Sequence, residues 1–206
     1  MVKLVQIQIH QTDYRTLKSG NYNLCFAQKT NGAYTVLCQS ISNYLPSTHF
    51  SWQPDYQLFG TNFFTAGAAV VVETNAVAVD LVRMSVAAID AAGVVEPAAG
   101  GAAVSFIPFS NANGPIHVGL IGSSAGPDDT QQSLPIHVGP QAAGIGLALL
   151  APLDMVRVWF QQNIATSTML SAEMLASGPN AIEVDLTASD KASLHYESGM
   201  WSIIDA

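Results

Sequence analysis

Two histidines of this 206-residue chain sit in identical pentapeptides, Pro-Ile-His-Val-Gly at Pro115–Gly119 and again at Pro135–Gly139. Two neutral imidazoles at equivalent places on neighbouring strands would make part of a zinc or copper site, which needs at least a third ligand. Asp128 and Asp129, in the stretch between the copies, are the nearest candidates. The chain offers no HxH, HExxH or Cys/His spacing to support such a site. Alternation accounts for the pentapeptide without metal. Pro opens an extended segment, Ile and Val point to one face, His points to the other, and Gly ends the run. The expectation is therefore a repeated strand-and-turn unit in which His117 and His137 hold equivalent positions, with no metal and no cofactor.

The two cysteines carry a sharper geometric expectation. Asn31-Gly32 lies between two alternating runs in YNLCFAQKTNGAYTVLCQS, the favoured chemistry of a two-residue type I′ hairpin turn. Pairing outward from Thr30 and Ala33 sets Cys25 opposite Cys38 at a non-hydrogen-bonded position. There the backbones approach to about 4.5 Å, at the near limit of disulfide geometry. Cys25 and Cys38 are thus the disulfide candidates, closed in an oxidising compartment and reduced in the cytoplasm. Catalytic signatures such as GxSxG, Walker A and GxGxxG are missing, so the chain does not read as an enzyme.

Seven of the seventeen aromatic residues crowd into Tyr44–Phe64. Two prolines and many polar residues make much of this stretch read as loop. Exposed aromatics supply contact area at low entropic cost and mark sugar, lipid-headgroup or partner sites. Tyr44, Trp52, Tyr56 and Phe59 are the candidate binding residues, with Trp52 and Tyr56 expected at the surface. The alternative is a plug laid over the end of a sandwich.

Period-two alternation dominates the rest. Val5, Ile7 and Ile9 oppose Gln6 and Gln8, and Ile182, Val184 and Leu186 oppose Glu183 and Asp185. Val156, Val158 and Phe160 oppose Arg157 and Trp159 in the same way. Residues 68–74, 76–84 and 102–109 also read as strands, and 83–95 leans the same way. Helical signal is limited to two turns at 168–176, ended by Ser-Gly-Pro at 177–179. The best linker candidate is 93–101, the best exposed loop is 122–133, and a last hairpin turns at Ser198-Gly199. This pattern predicts a single, mostly antiparallel all-β domain over 1–206, a β-sandwich or barrel-like fold.

Charge narrows the partners. Charged residues make up 11% of the chain, against about 25% in ordinary soluble proteins. The formal charge of −8 argues against phosphate-backbone binding and against attraction to anionic lipids. No apolar run is long enough for a membrane-spanning helix. The N-terminal stretch has no signal-peptide pattern, so the chain reads as cytoplasmic, or exported without a cleaved leader. A surface with few charges and an uncapped edge strand points to a non-enzymatic structural protein that acts by binding and self-association as a homo-oligomer or ordered assembly. Two alternatives stand beside it. One is a secreted carbohydrate- or membrane-recognising protein, lectin- or toxin-like, that uses residues 44–64; the other is a metal-dependent enzyme built on His117 and His137.

Overall fold

A computed structural model describes residues 1–79, 86–98, 107–112, 114–176 and 180–205. Along the chain run β1 (Lys3–Ile9), α1 (Gln11–Ser19), β2 (Asn23–Thr30), β3 (Gln39–Ile41), β4 (Ser47–Thr61) and β5 (Val77–Val79). Then come β6 (Val86–Ile89), β7 (Val95–Ala98), β8 (Ile107–Asn111), β9 (His117–Ala125), β10 (Gln131–Val138) and β11 (Gly146–Leu150). The chain closes with β12 (Pro152–Gln161), α2 (Ala172–Ala176), β13 (Ala181–Asp185), β14 (Lys191–Glu197) and β15 (Met200–Asp205).

These strands form three open sheets, so the fold is all-β and sandwich-like. The largest has the order β10-β9-β4-β1-β14-β15, with β5 also on β4; a second has the order β13-β12-β2-β3, and a third β11-β8-β6-β7. Antiparallel pairs dominate, with parallel exceptions at β1–β14 and β6–β8. Val5, Ile7 and Ile9 are buried on β1 while Gln6 and Gln8 are exposed, as their alternation requires. The first two sheets meet through aromatic rings: Phe26 of β2 stacks on Phe50 of β4 with centroids 4.8 Å apart, and lies 5.5 Å from Trp52. One continuous cluster of buried side chains draws on all three sheets, from Val5 and Leu194 through Val158 and Val184 to Ile89 and Phe109.

Most of the aromatic stretch is strand β4, and its rings from Tyr44 to Phe59 form core, while Phe63 and Phe64 beyond the strand are half-buried. Tyr44, Trp52, Tyr56 and Phe59 are at most 4% exposed, which corrects the surface position expected of Trp52 and Tyr56. Proline did not break the strand. Beyond Trp52, the partner of Lys3, β4 has left β1, so Pro54 stands where the missing N–H costs no bond on that side. The register on β9 shifts between Gln53 and Tyr56 to take up the extra residues.

Other segments also differ from their alternation. Residues 68–74 make no named strand. Instead Ala69 bridges Thr168, and Val71 and Val72 are exposed. The helix expected at 168–176 shrinks to α2, because Thr168 and Met169 are extended and pair with Ala69 and Val36. The linker candidate contains β7, paired with β6, and the loop candidate narrows to the turn between β9 and β10. The remainder of the runs at 76–84, 83–95, 93–101 and 102–109, and the helix stop at 177–179, lie outside the described residues. Helix α1 gave little signal, since Leu17 is its one buried residue; Asp13 in the first turn and Lys18 in the last suit the helix dipole.

The Asn31-Gly32 turn forms as its chemistry dictates, with φ of 52° and 76° and reciprocal backbone bonds between Thr30 and Ala33 of 2.9 and 3.0 Å. The cysteine register does not follow from it. Cys25 lies opposite Ser40, and both thiols are free. After Ala33 the second arm leaves β2 and bonds the 167–170 segment: the Leu37 amide donates to the Thr168 carbonyl and Leu170 to that of Thr35. The detour displaces the returning arm by two positions. Cys25 then packs beside Leu37 and Trp159, while Cys38 joins the main core. Burial pushes both thiols up to about 12. At pH 8, dithionitrobenzoate should therefore leave the folded chain unlabelled and react with both cysteines in guanidinium. Rapid labelling of the native protein would contradict their burial.

Gly119, which ends the first pentapeptide, sits directly opposite Phe59. A Cβ there would lie 2.2 Å from the Phe59 ring. Gly119→Ala should destabilise the fold by roughly 1–3 kcal/mol through overpacking. Adding Phe59→Leu should recover part of that loss, measured as the midpoint of urea unfolding.

Candidate functional site

The two pentapeptides share a sequence and differ in structure. In the first, Ile116 and Val118 enter the main core and His117 remains half-buried, as alternation predicts. In the second, the β9–β10 register shifts between Pro135 and His137. Pro135 lacks a ladder donor on an edge strand, and the bulge turns the next residues. Ile136, His137 and Val138 all become buried, with His137 only 3% exposed. The expectation that the histidines hold equivalent positions is thus corrected.

Each imidazole has its own partner. His117 Nδ1 lies 2.7 Å from the Gly139 carbonyl, which can only accept, so Nδ1 carries the proton. Its ring also stacks on Phe64 at 6.5 Å. Thr35, on the displaced hairpin arm, holds His137: the Thr35 hydroxyl is 2.8 Å from His137 Nδ1 and accepts the Val138 N–H at 3.1 Å. The hydroxyl keeps a second lone pair, but His137 Nδ1 is the one acceptor its proton meets among the described residues, so the hydroxyl donates to Nδ1. Nδ1 is then unprotonated, and the imidazole proton resides on Nε2. The two histidines adopt opposite tautomers.

Their rings are not brought together. His137 is level with Leu120, three positions along the ladder from His117, roughly 10 Å of strand. Asp129 bonds His49 at 2.9 Å, and Asp128 caps the turn through the Thr130 N–H. Among the described residues no group of three or more His, Cys, Asp or Glu side chains is assembled.

One feature with site geometry is a cavity of about 400 Å³ beside the hairpin tip. Its apolar wall includes Phe109, Val118 and Leu150, and Thr30, Thr35 and His137 supply polar groups. The tip is clamped in place. Asn31 receives the Ala151 N–H on Oδ1 at 2.7 Å and donates its own N–H to the Ala151 carbonyl at 2.9 Å. The Thr30 hydroxyl is buried without a partner among the described residues. Nothing in the sequence marked Thr30 or Thr35, since each enters the site only because the hairpin arms part. By contrast Tyr44, Trp52, Tyr56, Phe59, Cys25 and Cys38 are distributed through the core and line no part of this cavity.

Burial lowers the His137 pKa from 6.5 to about 4. The unfolded chain binds a proton more readily between those values, so stability is complete above pH 6.5 and falls as pH drops toward 4. The loss should reach about 3 kcal/mol at the acid end. In urea unfolding between pH 7.5 and 4, His137→Phe should remove most of that slope. An unchanged slope would mean that His137 titrates normally.

Compared with known proteins, the chain matches no family model, no curated protein and no solved structure, so its functional reading rests on its own geometry.

Proposed function

We propose that this chain is a non-enzymatic, assembly-forming β protein whose copies associate through the outer edge of β15. One observation carries the reading. β15 follows the Ser198-Gly199 turn (φ 53° and 75°) and among the described residues pairs with β14 on one side only, while Met200, Ile203 and Ile204 are 66%, 48% and 58% exposed. An open edge presents unpaired backbone donors and acceptors, and natural proteins usually guard it with Lys, Pro or a covering element. β15 has neither Lys nor Pro, and Asp205 is its one charged residue.

The occupant that best fits this edge is a second copy. Antiparallel pairing of β15 with itself about a two-fold axis would satisfy both edges and set the same apolar side chains against each other. Firm support behind the strand favours such docking. Trp201 stacks on Phe160 with centroids 5.3 Å apart and its indole N–H donates to the Asn180 carbonyl, so the edge is held against the second sheet. Low charge elsewhere leaves little repulsion to keep copies apart.

Sedimentation velocity over a hundredfold range of concentration tests the proposal. The wild-type chain should populate dimers or larger species, and Ile203→Lys with Ile204→Lys should shift them to monomer while the circular dichroism spectrum stays unchanged. A wild-type chain that remains monomeric at the highest concentration would refute it.

A further inference from the structure

The cavity beside the hairpin tip has no part in the β15 edge, and its chemistry defines a ligand. We propose that it binds a small, uncharged, largely apolar molecule through one oxygen acceptor, a carbonyl or ether, that takes a hydrogen bond from His137 Nε2–H.

The volume of about 400 Å³ lies in the usual range of small-molecule sites, and the balance of apolar wall and few polar groups is typical of them. No Asp, Glu, Lys or Arg is among the described residues that line it, which removes the charged partner an ionic ligand would need. The donor is fixed in advance. The Thr35 hydroxyl accepts the Val138 N–H and meets no acceptor but His137 Nδ1 among the described residues, so it donates to Nδ1 and Nε2 is left as an N–H with no hydrogen-bond partner among them. An acceptor placed against that N–H in a largely apolar pocket gains more than the same bond in water. Thr30 adds a second polar group to the same wall. Its hydroxyl has no partner among the described residues, and a hydroxyl can rotate to donate or accept. Phe109, Val118 and Leu150 give the rest of the ligand an apolar surface to cover.

Prodan, a neutral naphthyl ketone whose emission reports polarity, is the probe. With the full chain its emission should shift to the blue and saturate at one molecule per chain. His137→Phe keeps a ring in place and removes the N–H, so it should weaken prodan binding by about tenfold, the value of one well-placed hydrogen bond. 2-Ethylnaphthalene, which has no oxygen, should compete equally well in the wild type and in that variant. Leu150→Trp should fill the space and abolish binding of both. If His137→Phe does not fold, the imidazole ¹⁵N resonances of the wild-type chain provide the second measurement, and prodan should perturb the Nε2–H of His137 and leave His117 unmoved. Absence of saturable binding, equal prodan affinity in His137→Phe, or binding that survives Leu150→Trp would each overturn the proposal.

Discussion

The contact of Phe26 with Phe50 and Trp52 is the interaction on which the rest of the structure depends. These rings join β2 of one sheet to β4 of the other at centroid separations of 4.8 and 5.5 Å. Aromatic side chains each bury about 150–250 Å² and prefer offset or tilted arrangements, so few of them can fix both the spacing and the alignment of two sheets. β4 is suited to this role because it pairs with β1, β9 and β5 along its length. β2 projects its hairpin tip to Leu149 and Ala151 and its returning arm to β10.

That projection creates the unusual local features. The tip docks on Ala151 and Leu149 through Asn31, and the returning arm pairs with 167–170 before it rejoins β2 as β3. Thr35 is carried to β10 by this detour, and the bulge after Pro135 turns His137 to meet it. Both departures from regular pairing occur where a ladder can tolerate them. One is an arm with a second set of backbone partners, the other an edge strand with a proline. The separation of Cys25 from Cys38 and the tautomer of His137 follow from the same displacement.

The assembly edge and the cavity lie on different parts of the molecule. β15 is an outer strand of the large sheet, whereas the open cavity is lined by β10, the hairpin and the third sheet. An interface built on β15 would therefore leave the cavity wall unchanged. Deeply buried Tyr44, Trp52, Tyr56 and Phe59 present little surface to a glycan or lipid headgroup, whereas Leu45 is exposed and Phe63 and Phe64 are half-buried.

Local chemistry in the sequence determined what depends on neighbours in the chain. Alternation placed Val5, Ile7, Val156, Val158 and Val184 in the core, and Asn-Gly and Ser-Gly specified two tight turns with positive φ at both central residues. Those outcomes follow from the two-residue period of a strand and the steric freedom of glycine and asparagine. Tertiary structure decided everything that requires counting residues through a second partner. Whether Cys38 faced Cys25 depended on where the returning arm found its hydrogen bonds, and whether His137 matched His117 depended on a one-residue bulge. Since the side-chain period is two, small insertions into a ladder reverse or displace every position beyond them. The aromatic stretch was misread for a related reason. Pro54 excludes a strand only where both edges need donors, and the sequence does not reveal that β1 ends at that level. The cavity lay beyond the reach of the sequence for the same reason, because Thr35 and His137 are 102 residues apart and meet only after both ladders slip.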